Sequence, residues 1–343
     1  MAEIFNEQRK LGIRIVPDGT TIFNNQPVIG LREAADGLLF IDNQRVLGVQ
    51  TLDADQAIYN EQPVRGAVMI TDSRTMYNGM RVQPSKGGVA PPSYDADAQA
   101  YFNVMSPSLS DERKTLINNF VLTGKPAGWW SKLDLIRPMA QTGSANSRVN
   151  LKNPTGPLLA VSNSPTFTDD RGWAGDGVGA FMGTGYTFTD PNQFGQDSAT
   201  LGGYINATPS DVNNNNPLFG MDVTSGTLTF IRPKDPSGGM GGRISAAIND
   251  NSAALPSRLG FKAAVRKDAN TLQWYATGGA PLGGALTRAS APMQAKELLL
   301  FRLGTGYGND RCAFMFAGAA LTDAEMLSLH NAILTYLTAI GAN

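Results

Sequence analysis

Hydrolytic chemistry needs paired acids, a nucleophile held by a base, or a bound metal, and this chain supplies few of the residue types required. It has one histidine, His330, and one cysteine, Cys312. A Ser-His-Asp or Cys-His assembly would have to form around His330, beside Leu329, and no nucleophile motif accompanies it. A structural or solvent-facing histidine is the reading that remains. Cys312 cannot close an internal disulfide, and with a single histidine it cannot complete a Cys/His zinc site. The run Gly304-Thr305-Gly306-Tyr307-Gly308 is rich in glycine but lacks the Lys and the strand-to-helix setting of a phosphate loop, so no cofactor is expected. Asp169, Asp170 and Asp176 lie close enough in sequence to suggest the two acids that flank a cleaved glycosidic bond. Their settings, Asp169-Asp170-Arg171-Gly172 and Gly175-Asp176-Gly177, are instead those of turns. Asp211, Asn213 to Asn216 and Asn249-Asp250-Asn251 offer the hard oxygens that calcium prefers, but their spacing fits no EF-hand and an Asn-rich turn explains them. The expectation is a chain that is not an enzyme and has no catalytic or metal residues, with a glycan depolymerase as an alternative. Sugar contact would fall to aromatics that stack on apolar sugar faces, and Trp173, Trp274, Tyr186 and Tyr307 are the candidates, each equally suited to a core.

Composition says what must position such residues. Of 343 residues only 17% are charged, while Gly numbers 38, the balance of short strands joined by many tight turns. The formal net charge of −1, with no block of Lys and Arg, excludes the footprint of a nucleic-acid binder. The first residues carry no apolar signal region, and no run approaches the ~18 apolar residues of a membrane span. Synthesis in the cytoplasm without export or membrane insertion is therefore expected.

A repeat organises residues 1–86. Phe23-Asn24-Asn25-Gln26-Pro27-Val28-Ile29-Gly30 returns 18 residues later as Ile41-Asp42-Asn43-Gln44-Arg45-Val46-Leu47-Gly48, then from Tyr59 and from Tyr77, and it is already present from Phe5. The position before the aromatic is apolar in every copy, as Ile4, Ile22, Phe40, Ile58 and Met76. A second apolar column runs through Val28, Val46, Val64 and Val82. Asn24-Asn25, Asp42-Asn43 and Asn78-Gly79 tolerate the left-handed backbone of a two-residue turn, which predicts strand, turn and strand in each copy. Small hairpins share no large core, so neighbouring chains are expected to complete one, with Ile22, Phe40, Ile58, Met76, Val28, Val46, Val64 and Val82 inside a homotrimeric shaft. A monomeric solenoid and a left-handed β-helix are the alternatives.

Residues 87–94, with Pro91-Pro92 at their centre, predict a linker. Residues 95–147 predict a helical connector: one helix opens at the Ser110 N-cap and stops at Gly124, and a shorter one spans 129–136. From 148 to 343 short apolar runs between Gly, Asn and Pro clusters predict a β-sandwich or jelly roll, closed by a helix over 322–340 that starts with the capping box of Thr322 and Glu325.

Three stretches carry a resemblance: Gly128-Trp129-Trp130-Ser131-Lys132-Leu133-Asp134, the run from Asn163 to Gly177, and Leu321-Thr322-Asp323-Ala324-Glu325. Over residues 95 to 343 the chain resembles the concanavalin A-like (laminin G-like) domains of bacteriophage and prophage structural proteins, and its repeat resembles their short fibre shafts. That resemblance implies a mainly β virion protein, a tail, neck or collar appendage with a lectin-like domain, or alternatively a head decoration protein. Its implied partners are further copies of itself, other virion proteins and host cell-surface carbohydrate.

Overall fold

The computed structural model describes residues 94–343, apart from 190–191 and 210–215, and the backbone of short strands between residues 13 and 82. The chain divides into two units, Met1–Ser93 and Tyr94–Asn343. In the first unit β1 (Ile13–Ile15), β2 (Thr21–Phe23) and β3 (Gln26–Pro27) form one antiparallel sheet, and β4 (Leu31–Glu33), β5 (Leu39–Ile41) and β6 (Gln44–Arg45) a second. β7 (Thr51–Leu52) pairs with β8 (Gln56–Ala57), and β9 (Ala67–Ile70), β10 (Arg74–Tyr77) and β11 (Met80–Val82) make a last sheet. Phe23 partners Gln26, Ile41 partners Gln44 and Tyr77 partners Met80. The side chains of the repeat columns, Ile22, Phe40, Ile58, Met76, Val28, Val46, Val64 and Val82, lie outside the described residues.

The second unit opens with α1 (Ala96–Asn103), α2 (Asp111–Ala127) and α3 (Trp129–Lys132), followed directly by β12 (Leu133–Pro138). Then come β13 (Ala160–Ser162), β14 (Thr166–Thr168), β15 (Gly172–Ala174), β16 (Phe181–Thr187), β17 (Ala199–Ala207), β18 (Phe219–Gly220) and β19 (Leu228–Arg232). β20 (Gly239–Ala246), β21 (Asp250–Ala254), β22 (Gly260–Arg266), β23 (Thr271–Tyr275), β24 (Leu286–Thr287) and β25 (Glu297–Leu300) follow. A hairpin of β26 (Arg302–Leu303) and β27 (Gly306–Tyr307), then β28 (Arg311–Gly318) and α4 (Asp323–Ala339), complete the chain. One antiparallel sheet runs β14-β15-β28-β17-β22-β23-β24 with β12 also on β28, and the other runs β13-β16-β25-β18-β19-β20-β21. The protein is thus mainly β, a two-sheet sandwich with flanking helices.

The first sheet is apolar on both faces. Phe261, Ala263, Val265, Phe314 and Phe316 pack with Phe120, Trp129, Leu329, Ile333 and Leu337 of the helices. Leu201, Ala264, Met315 and Ala317, interleaved with them, pack with Phe219, Ile244 and Leu300 of the second sheet. Alternate side chains of a strand point to opposite faces, so one sheet can serve two cores. The capping box at the start of α4 forms as its sequence predicts: Glu325 N donates to Thr322 Oγ1 at 3.2 Å and Thr322 N to Glu325 Oε2 at 2.7 Å.

Three expectations are corrected. The helix from Ser110 does not stop at Gly124 but continues to Ala127, and the left-handed cap is Gly128, at φ 88°. Gly124 serves packing, because a Cβ there would stand 2.3 Å from the Trp129 ring. Residues 133–136 are strand, not helix, since β28 offers them a ladder with Ile136 opposite Phe316 and Pro138 opposite Phe314. Residues 95–147 are not a separate connector: α1, α2 and β12 belong to the same unit as the sandwich and cover its first sheet.

Two predictions follow from this packing. In an open helix Gly→Ala stabilises by about 1 kcal/mol. At Gly124 the indole reverses the sign, and Gly124→Ala is expected to cost about 1–3 kcal/mol by overpacking. A urea midpoint that rises in this variant would contradict the close approach. The second concerns Lys262, which is fully buried and donates to Leu259 O at 2.5 Å, near the buried ion pair of Arg258 and Asp310. Burial pulls its pKa down from 10.5 to about 8, against the attraction of Asp310 and with the repulsion of Arg258. Below pH 8 both folded and unfolded chains hold this proton; between 8 and 10.5 only the unfolded chain does. Stability is therefore expected to rise through that window by up to about 1.4 kcal/mol per pH unit. Lys262→Met should flatten the rise in urea titrations at pH 8, 9 and 10.

Candidate functional site

A polar cleft of about 460 Å³ opens where α3 meets β12, walled by residues 150–157, the end of β16 and residues 192–193. Its frame is Arg137, whose side chain is almost wholly buried. The guanidinium Nη2 donates to Pro157 O and Thr184 O, each at 2.8 Å, and Nη1 donates to Arg148 O. One side chain thereby ties residues 148 and 157 to strand β16. Burial pulls its pKa down to about 10, with Tyr101 and Glu297 opposing.

On this frame stands Asp134. Its Oδ2 accepts from Tyr186 Oη at 2.9 Å and from Gln193 N at 3.0 Å, which fixes the carboxylate plane. Its backbone oxygen accepts from Asn150 Nδ2 at 3.0 Å, and Asn150 Oδ1 accepts in turn from Ile136 N at 3.0 Å and Lys152 N at 3.1 Å. Lys152 Nζ lies 4.2 Å from the centre of the Trp130 ring and donates to Trp130 O at 2.8 Å. Burial pulls the Lys152 pKa down, and the negative charges of Asp97 and Asp134 work against that. Glu297 Oε1 accepts from Gly185 N at 2.6 Å beside the cleft. An oriented carboxylate, an amide and an ammonium on an aromatic face can receive and supply hydrogen bonds to a hydroxyl-rich ligand. Among the described residues no group of three His, Cys, Asp or Glu could hold a metal.

Of the aromatics proposed for sugar contact, only Tyr186 lines this cleft, its ring edge-on to Phe188 and Phe194. Tyr307 lies elsewhere, its ring 6.3 Å from that of Phe181, with the Arg302 guanidinium 5.8 Å from the first and 4.6 Å from the second. Trp173 and Trp274 are corrected to core. Trp274 is fully buried between the sheets, and Trp173, 5% exposed, donates from Nε1 to Ser147 Oγ at 2.8 Å. Asp134 stood in the Trp-Trp-Ser-Lys-Leu-Asp stretch without being singled out, and nothing in the sequence marked Arg137, Asn150 or Lys152.

The remaining candidates have structural surroundings. His330 is 6% exposed, edge-on to Phe261 with ring centres 5.1 Å apart, and burial lowers its pKa. Cys312 is a buried free thiol whose pKa burial drives upward. Asp170 pairs with Arg113 at 2.8 Å, Asp169 accepts from Gly143 N at 2.8 Å, and Asp176 Oδ1 accepts from the backbone of Val178, Gly179 and Ala180. Those amides hold the Asp176 carboxyl below its usual pKa. Gly308 answers to backbone crowding, since a Cβ there would meet Pro217 O at 2.1 Å. Asp211 and Asn213 to Asn215 lie outside the described residues. Asn216 binds Asn309, Asn249 binds Arg243 and Asp250 pairs with Arg288.

No family model matches the chain, and no curated protein matches it. Among solved structures it is similar to a Trypanosoma rangeli sialidase in complex with a difluorinated nononic acid, at 12% identity and TM-score 0.40, over 63% of this chain and 39% of that one. A second is domain 4 of a GH43 extracellular arabinanase from Geobacillus stearothermophilus in complex with arabinotriose, at 10% identity and TM-score 0.38, over 58% of this chain and 98% of that one. The chain spans well under half the length of that first sialidase. The expectation that the chain is not an enzyme is corrected on this finding: the matched structures are those of a sialidase and of part of an arabinanase, both enzymes, and the statement does not stand. At these identities and TM-scores nothing further about this chain is taken from the likeness.

Loss of the frame should be felt more than loss of the rim. Arg137→Met strips donors from Arg148 O, Pro157 O and Thr184 O, and is expected to destabilise by about 3–5 kcal/mol. Lys152→Met, which removes one such bond at the surface, should cost about 1 kcal/mol. Equal urea midpoints for the two variants would show that Arg137 does not hold the walls together.

Proposed function

We propose that this chain is a bacteriophage virion structural protein, a tail, neck or collar appendage whose repeats assemble three chains and whose sandwich contacts surface carbohydrate through the Asp134 cleft. The observation that carries it is the union in one sequence of five 18-residue repeats with a sandwich. Two apolar positions per repeat make too thin a column for a core within one chain, which favours assembly. The resemblance of residues 128–134, 163–177 and 321–325 to concanavalin A-like virion domains supports the particle setting. The oriented carboxylate of Asp134 and the ammonium of Lys152 suit hydroxyl groups.

Light scattering of the purified chain tests the assembly: a mass about three times the 36.5 kDa of one chain is expected, and a monomer overturns the shaft. Antibody labelling of particles from the producing culture tests the setting. Label on the tail or collar supports it, and particles without label overturn it.

A further inference from the structure

The charges that face the cleft decide what kind of ligand suits it. Arg137 lines it, but three of its five N–H donors are committed to backbone oxygens, and its Nε, which has no partner, is shut off from solvent, so it presents no free fork to an anion. That leaves one carboxylate, Asp134, and one ammonium, Lys152. Asp134 forms no ion pair among the described residues. Its Oδ2 holds two donors, whereas its Oδ1 has none among the described residues and is not sealed off from solvent. Lys152 donates to Trp130 O and lies on the indole face, which leaves donor capacity beyond that one bond. A carboxylated or phosphorylated sugar would bring its charge against Asp134 and find only Lys152 in compensation. Glu297, bonded to Gly185 N beside the cleft, adds further negative charge. A cationic ligand would meet Lys152 in the same way.

We infer that the cleft binds a neutral glycan, one hydroxyl donating to Asp134 Oδ1 and another oxygen accepting from Lys152 Nζ. This rests on the carbohydrate contact in the proposed function and adds the ligand class and the two groups that read it. Neutral hydroxyls can satisfy both charges without introducing a third, so neither is left desolvated and unpaired.

The full-length protein is applied to a printed array of neutral oligosaccharides, with galactose, glucose, mannose and rhamnose ends, beside uronate-containing and sialylated ones. The strongest binder is then titrated calorimetrically against Asp134→Asn, Lys152→Met and Tyr186→Phe, each first compared with the parent by urea midpoint. Neutral binders are expected, and Asp134→Asn and Lys152→Met should each weaken them by about tenfold or more. Tyr186→Phe, which frees the carboxylate to rotate, should weaken them less, and it decides with Lys152→Met if Asp134→Asn does not fold. Binding confined to acidic glycans overturns the ligand class but leaves carbohydrate contact standing. Neutral binding undiminished by the variants overturns the cleft as the site. Retention of no glycan overturns this inference and the carbohydrate contact together.

Discussion

Strand β28 is hydrogen-bonded along both edges and covered on both faces, and most of the described unit is organised by that constraint. One edge carries β17 along its whole length, with Gly202 opposite Phe316 and Tyr204 opposite Phe314. The other edge is divided: β12 takes residues 314–318 and β15 takes 311–312. Between them Ala313 is not left open, because its oxygen accepts from Ala140 N at 2.7 Å. On its faces Phe314 and Phe316 enter the helical core while Met315 and Ala317 enter the core between the sheets. A strand so enclosed must be apolar almost throughout, which Arg311–Gly318 is.

The candidate cleft inherits its rigidity from this arrangement. Asp134 and Arg137 both belong to β12, which pairs with β28: Arg137 stands opposite Met315, and Asp134 at a bulge between the paired Leu133 and Leu135. Arg137 then fastens residues 148 and 157, and strand β16 at residue 184, to β12. A carboxylate carried by such a strand and held by Tyr186 and Gln193 needs little reorganisation on binding, which favours affinity from few contacts.

Local patterns were legible and long-range ones were not. The α4 capping box and the sandwich character of residues 148–318 can be read from neighbouring residues, because caps and turns are chemistry between positions a few apart. The end of α2 was misread because Gly124 looks like a terminator, and only its contact with Trp129 shows that it is a packing position. Leu133 to Ile136 read as helix because the run is short and apolar, and the strand is imposed by a partner about 180 residues away. The cleft was half legible: Tyr186 could be listed for its ring, but Asn150 and Lys152 become functional candidates only when β12 brings Asp134 beside them.

What separates Asp134 from the acids clustered at residues 169–176 is its place in the fold: it lines the cleft with Lys152 and Tyr186, and Asp169, Asp170 and Asp176 do not. Asp176 meets three successive amides, Asp170 meets Arg113, and Asp169 meets an amide of a neighbouring loop. Asp169 and Asp176 bond backbone amides, as short side chains in turns and loops do, and Asp170 bonds a guanidinium. Asp134 lies within a strand, and its carboxylate meets a phenol and an amide at the cleft wall. The strand position that made it inconspicuous in the sequence is what carries it to the cleft wall.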